Sequence, residues 1–202
     1  MLLAGLAPFL LSCVYFGLTL AYCVALKQVL ILDAMIIASG FVLRVVSGAA
    51  AVDVEPSHWL IICAFLLALY LAFAKRRQEL LLLPRSAIEH RPVLNRYSVR
   101  YLDQVTNVVA CSAIICYALY TVAPDTVERF GTEQLIYGTA FVVYGLLRYM
   151  ALTQSPVNGG DPSRILVRDR PLLLAAVAWA VYNWLIIYRA PLHALWERLR
   201  NM

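Results

Sequence analysis

Six stretches of this sequence are apolar for long enough to cross a bilayer, and they constrain everything else about the chain. They are Leu2–Leu26, Val29–Val52, His58–Ala74, Leu102–Ala123, Gln134–Leu152 and Pro171–Tyr188. A spanning helix needs roughly 20 mostly apolar residues at ~1.5 Å rise each. The third stretch is the shortest, and its flanks can lengthen it. Inside lipid every backbone N–H and C=O must be paired within the segment, so such runs are helices rather than isolated strands. They do not alternate in polarity, as the strands of a membrane barrel would. The chain is 62% apolar and 14% charged, against about 45–50% apolar in soluble domains. A soluble fold of this length lacks the polar groups to cover that surface. The expectation is an all-α integral membrane protein with six transmembrane helices, a single helical domain over 1–190 and a short tail at 191–202. The first run has no basic segment before it and continues to spanning length, which predicts a membrane helix rather than a secretory signal.

Basic residues mark the cytoplasmic side of such a protein. Segment 75–100 holds Lys75, Arg76, Arg77, Arg85, Arg91, Arg96 and Arg100. Segment 153–170 holds Arg164, Arg168 and Arg170, and the link after the first run holds Lys27. Residues 53–57 carry Asp53 and Glu55 without a cation, and 124–133 carry Asp125, Glu128 and Glu133 against Arg129 alone. Six helices put Lys27, loop 75–100 and loop 153–170 in the cytoplasm and both termini outside. The basic tail, with Arg189, Arg198 and Arg200, runs against this pattern. The net charge of +5 is thus a mark of topology, and no nucleic-acid partner is expected. Segment 75–100 is longer and more basic than orientation requires, and it adds Gln78, Glu79, Glu89, Asn95 and Tyr97. It reads either as a solvated loop or as a cluster that neutralises lipid head groups or a phosphorylated substrate.

Polar residues inside the runs come next, because a charge in a spanning segment points to function. Arg44 lies well inside the second run, with Gly40 and Gly48 four positions to either side on the same face. It suits an anion bound in a cavity or a structural pair with a carboxylate. Asp33 begins the same run, where the helix dipole favours a carboxylate. Arg148 sits near the end of the fifth run beside Tyr149; it can reach the interface by snorkelling or bind phosphate. Lys75, Arg76 and Glu79 follow the third run, as a membrane-edge anchor or the rim of a site. The cysteines at 13, 23, 63, 111 and 116 form no CxxC pair and read as small apolar groups packed among the helices. His58 and His193 lack metal-ligand spacing, so no zinc site is expected. There is no Ser-His-Asp pattern, P-loop, GxGxxG or tandem repeat.

These residues fall in a recognisable order: Tyr22 followed by Lys27, then Asp33, Gly40-Phe-Val-Leu-Arg44 with Gly48, Ser57-His-Trp59, Lys75-Arg76-Arg-Gln-Glu79-Leu80, Tyr97 with Tyr101-Leu, Leu147-Arg148-Tyr149 and Arg168-Asp169. Over about residues 15–190 this order resembles the UbiA prenyltransferase superfamily, and most nearly its decaprenyl-phosphate phosphoribosyltransferases. The Lys-Arg-x-x-Glu-Leu segment stands where aromatic prenyltransferases usually carry an aspartate-rich motif. The resemblance implies a nine-helix bundle, of which this chain matches helices four to nine, in a bacterial inner membrane. It implies transfer of a 5-phosphoribosyl group from phosphoribosyl pyrophosphate to a polyprenyl phosphate with Mg²⁺ as cofactor, so that the partners are membrane lipid, the lipid phosphate and the pyrophosphate donor. It places Lys75, Arg76 and Glu79 at the phosphate end of the site, and Tyr22 and Lys27 at its cytoplasmic mouth. Arg44, Arg148 and Asp169 match recurring positions; Asp169 is the one metal-ligand candidate. The family's first aspartate motif, Asn-Asp-x-x-Asp-x-x-x-Asp, is not in these 202 residues. The expectation is therefore an N-terminally truncated form. The alternatives are a UbiA-type prenyltransferase acting on an aromatic or other small acceptor, and an inactive paralogue or assembly subunit.

Overall fold

The computed structural model describes residues 2–82, 93–154 and 168–200, with side chains for 8–82, 93–154 and 168–188. The regular structure among the described residues is all helical, with no strand. The principal helices are α1 (Leu2–Val24), α2 (Leu32–Ala51), α3 (His58–Leu82), α4 (Val99–Val122), the short α5 (Pro124–Phe130), α6 (Thr139–Gln154) and α7 (Arg170–Arg200). Single 3₁₀ turns precede α2, α4 and α6 at Leu26–Gln28, Leu94–Arg96 and Gln134–Gly138.

Five helical stretches are long and apolar enough to cross a membrane: Leu32–Ala51, His58–Leu82, Val99–Val122, Gln134–Gln154 and Arg170–Tyr188. Only 11–33% of each apolar stretch is buried, so most of their surface needs an apolar surrounding. The run at the N-terminus is helical too, though its described part, Pro8–Val24, is shorter. One boundary differs from the sequence reading: the third helix does not stop at Ala74 but runs through Lys75, Arg76, Arg77 and Glu79 to Leu82. The last helix runs from Arg170 to Arg200.

Close packing rests on small residues. Ala34 and Ala38 of α2 are fully buried, as is Tyr70 of α3, and Ala68, Ala72 and Ala74 lie in the same core. Without a hydrophobic drive between helices in lipid, small side chains that let backbones approach are what hold such contacts. α3 is central: it packs on α2 and α4 and reaches α6, while α1 lies on α2 and α7 on α6. The cysteines differ from the packed thiols expected. Cys13, Cys23 and Cys111 face outward, and Cys63 and Cys116 are half-buried.

Candidate functional site

The end of the bundle that carries α3's last turns, the start of α2 and the start of α4 gathers the charged residues. Arg76 is 6% exposed and Asp33 is fully buried. The Arg76 Nε donates to Asp33 Oδ2 at 2.7 Å and Nη1 to Glu79 Oε2 at 2.7 Å. Its Nη2 reaches the Tyr22 hydroxyl at 3.3 Å. The other Asp33 oxygen accepts from the Tyr97 hydroxyl at 2.7 Å. Asp33 is thus more than a helix-dipole carboxylate: it is the buried counter-ion of an arginine 43 residues away. Burial raises the Tyr97 phenol pKa, and the hydrogen bond to the Asp33 carboxylate works in the same direction.

The chain enters this cluster through a strained turn. Ile31 has φ 70° and ψ −45°, and the Leu32 N–H bonds the Leu30 carbonyl two residues back at 2.8 Å. Those values describe a γ-turn of the rarer hand. A β-branched residue at positive φ is a genuine outlier, costing about 1–3 kcal/mol unless its surroundings hold it. Tyr97 does so here, since its hydroxyl accepts the Ile31 N–H at 2.8 Å. The turn delivers Asp33 into the first turn of α2, facing α3.

Arg77 makes a second tie. Its Nε pairs with Asp103 of α4, and Nη1 donates to the Thr153 carbonyl of α6 at 2.9 Å. Nearby on α6, Arg148 grips Asp169 with two bonds, Nε–Oδ1 at 3.2 Å and Nη2–Oδ2 at 2.9 Å. Asp169 also accepts the Leu172 N–H at 2.9 Å and so caps α7. The bonds from Arg148 hold the Asp169 carboxyl below its ordinary range.

Of the residues singled out from sequence, Tyr22, Arg76 and Glu79 meet in one cluster, and Arg148 and Asp169 in another. Lys75 is exposed beside Arg76, and Lys27 is exposed after α1. Among the described residues neither lysine is in an ion pair. Arg44 stands apart, eleven residues and about 16 Å along α2 from Asp33. It is exposed, donates to the Tyr15 hydroxyl, and lies 5.0 Å from the Tyr15 ring centroid and 5.5 Å from that of Phe41. Asp33, Tyr97, Arg77 and Asp103 are the partners that the sequence reading did not assign to a site. Only the run of charges at 75–79 hinted that counter-ions would be needed.

Two cavities accompany these groups. The larger, about 690 Å³, lies between α3, α4, α6 and α7. Its walls are almost wholly apolar or aromatic, including Tyr70, Tyr117, Leu146, Tyr149 and Trp179. Its lining holds no charged side chain; Tyr149 and Leu172, close in sequence to the Arg148–Asp169 pair, are in its wall, as are Tyr120 and Phe130. The smaller, about 220 Å³, lies between α1 and α2 from Tyr22 to Arg44. As for a metal, no three His, Cys, Asp or Glu side chains converge among the described residues. Both oxygens of Asp33 and both of Asp169 are engaged by other groups. These residues do not fit the Mg²⁺ that the UbiA resemblance implies.

No protein-family model matches the chain. Several curated proteins do. One is a decaprenyl-phosphate phosphoribosyltransferase of Mycolicibacterium smegmatis, 30% identical over 172 residues, which is 82% of this chain and 54% of the relative. Another of the same name, from Corynebacterium glutamicum, is 30% identical over 181 residues, 89% of this chain and 54% of the relative. A third, from Mycobacterium tuberculosis, is 29% identical over 172 residues, 84% of this chain and 55% of the relative. The chain spans about half the length of these relatives, which are transferases by name. Across more than four-fifths of its own length, the chain is a homologue of proteins named decaprenyl-phosphate phosphoribosyltransferase.

Proposed function

We propose that this chain forms the lipid-binding and phosphate-facing part of a membrane transferase that moves a 5-phosphoribosyl group from phosphoribosyl pyrophosphate to polyprenyl phosphate. The observation that carries the reading is the apolar cavity whose wall includes Tyr149 and Leu172, beside the Arg148–Asp169 pair, in a chain homologous to transferases of that name. A polyprenyl chain needs apolar walls for its tail and cations for its phosphate, and this end of the bundle offers both. In the reaction a lipid-phosphate oxygen bonds to the anomeric carbon of the ribose. The bond from that carbon to the pyrophosphate oxygen breaks, and its electron pair leaves with pyrophosphate.

Each polar residue then has a distinct task. Arg76 is held by two carboxylates and brings little free positive charge to a phosphate; it fixes the ends of α1, α2 and α3 relative to one another. Lys75 and Lys27, exposed at the same end, neutralise the phosphates, since a lysine acts there as a mobile point charge. Arg148 and Asp169 brace the start of α7, next to Leu172 in the cavity wall. The chain crosses the membrane six times, corresponding to helices four to nine of a UbiA bundle. Lys27, loop 75–100 and loop 153–170 face the cytoplasm of a bacterial cell. In a UbiA-type enzyme an aspartate motif would hold Mg²⁺; that motif is not among these 202 residues. Residues 83–92 and 155–167 of the two loops lie outside the described residues.

Membranes containing the protein, supplied with labelled phosphoribosyl pyrophosphate and decaprenyl phosphate, test the reading. The expected result is a labelled phosphoribosyl lipid whose formation falls at least tenfold for Lys75→Ala, the loss of one phosphate contact being worth about 1.4 kcal/mol or more. Label transferred instead from a prenyl pyrophosphate to an aromatic acceptor supports the prenyltransferase alternative. No product, with Lys75→Ala indistinguishable from wild type, supports an inactive or assembly role.

A further inference from the structure

One face of α7 lines the large cavity along most of its spanning part: Leu172, Ala175, Ala176, Trp179, Asn183 and Ile187 recur at helical spacing. From Leu172 to Ile187 is about 22 Å at ~1.5 Å per residue. Near the middle of that length two rings meet across the cavity. Trp179 donates its indole N–H to the Tyr117 hydroxyl of α4 at 2.7 Å, and both side chains are in the cavity wall. Their ring centroids are 6.2 Å apart. Asn183, one turn on, donates to the Trp179 carbonyl at 2.7 Å. Gly138, buried in the last 3₁₀ turn, leaves room for these groups: a Cβ there would stand 3.1 Å from the Tyr117 hydroxyl and 3.5 Å from the Asn183 amide nitrogen. The indole and the phenol thus satisfy each other and ask for no polar ligand. To an apolar guest they present a fixed obstacle about 10 Å along α7 from Leu172.

We propose that the Tyr117–Trp179 bar is the specificity-determining stop of the cavity: it admits the first isoprene units of a polyprenyl phosphate and turns the rest of the tail out into the bilayer. The inference rests on the proposed function, which puts the lipid phosphate at the charged end of the bundle, where α7 begins. A tail entering there runs past Leu172 and past Tyr149, whose ring centroid lies 5.7 Å from that of Tyr70. It meets the bar before it reaches Asn183 and Ile187. Binding strengthens in proportion to the apolar surface removed from water. Affinity therefore rises with each unit that fits on the near side of the bar and levels off with units that do not. Trp179 sets that limit, and the length of the whole cavity does not.

The test uses the full chain in its native membranes and measures binding of radiolabelled geranyl, farnesyl, geranylgeranyl and decaprenyl phosphate, with phosphoribosyl transfer to the same lipids followed alongside. Taking the ratio of variant to wild-type affinity at each length cancels the partition of the lipid into the bilayer. Wild-type affinity is expected to level off among the shorter lipids. Trp179→Ala should leave geranyl phosphate unchanged and tighten the longer lipids about tenfold or more, the scale of a few further buried methylenes. Trp179→Phe, which keeps a ring there, retains part of the stop. Ile187→Trp refills the space beyond the bar, so it should change nothing alone and cancel the gain of Trp179→Ala. Should Trp179→Ala fail to accumulate, Ala176→Phe decides, since Ala176 lines the near side one turn before Trp179: it should weaken geranylgeranyl phosphate and spare geranyl phosphate. A length dependence that Trp179→Ala leaves in place, a wild-type affinity that climbs steadily to decaprenyl phosphate, or an Ala176→Phe loss equal at every length would overturn the stop, even where transfer proceeds. Levelled binding that Trp179→Ala shifts, with no phosphoribosyl product, removes the reaction and leaves the stop standing. Binding of none of the four lipids overturns both.

Discussion

Arg44 and Arg76 both lie in apolar helices of this protein, and their surroundings could hardly differ more. Arg76 is buried between two carboxylates and a tyrosine. Arg44 is exposed against two aromatic rings, with one hydroxyl and, among the described residues, no carboxylate. The first is a finished arrangement, in which every formal charge has a partner within the chain. Among the described residues the carboxylate partners separate the two as burial does: Arg76 has two and Arg44 has none.

The contrast can be broken most forcefully at Asp33. Asp33→Ala should lower stability by about 3–5 kcal/mol, the scale for orphaning one member of a buried ion pair, as a drop in unfolding midpoint of the protein in detergent. Adding Arg76→Met should recover much of that loss, and failure to recover would mean that the pair is less buried than its geometry indicates. Tyr97→Phe comes next, at about 1–3 kcal/mol for an unmade buried hydrogen bond. It carries a pH signature. The folded phenol titrates above its ordinary value of 10, so its contribution is intact below that pH and declines as pH rises further. The variant should lose that alkaline sensitivity. Arg44→Met should sit at the opposite pole, changing the stability of the purified chain by no more than about 0.5 kcal/mol, as for a surface position. A large loss would show that Arg44 organises this chain as Arg76 does. The smallest effect belongs to Asp169, because pairs open to solvent are worth little. Its folded pKa lies below 3.8, so the stabilisation is present above that pH and is lost as pH falls through the depressed value. Asp169→Asn should flatten that acid limb.

The helices were legible in the sequence because length and apolarity alone decide them. The extent of α3 was not. Lys75, Arg76, Arg77 and Glu79 look like the start of a loop, since charges usually end a span. The helix continues because Arg76 and Arg77 each find an acid, Asp33 and Asp103, on a neighbouring helix. Helical periodicity names neighbours three and four residues away; it is silent about partners 43 or 26 residues away. The same limit hid the role of Tyr97, which stood in the basic segment and in the order of motifs without a partner assigned to it. The clustering of Tyr22, Arg76 and Glu79 was legible from their place in a known order of motifs. The separation of Arg44 from them follows from elementary helix geometry, eleven residues at ~1.5 Å each.

Tyr97's hydroxyl has a single proton, and Asp33 receives it, while the backbone N–H of Ile31 occupies an oxygen lone pair. The row from Ile31 through Tyr97 to Asp33 therefore has a direction that cannot be reversed, because neither end can exchange roles. One oxygen atom clasps both the bend that opens α2 and the carboxylate that meets α3. Neutralising Asp33 would loosen that clasp at its anionic side and leave the left-handed bend at Ile31 without its restraint. The charge on a single buried side chain thus sets the path of the main chain two residues before it.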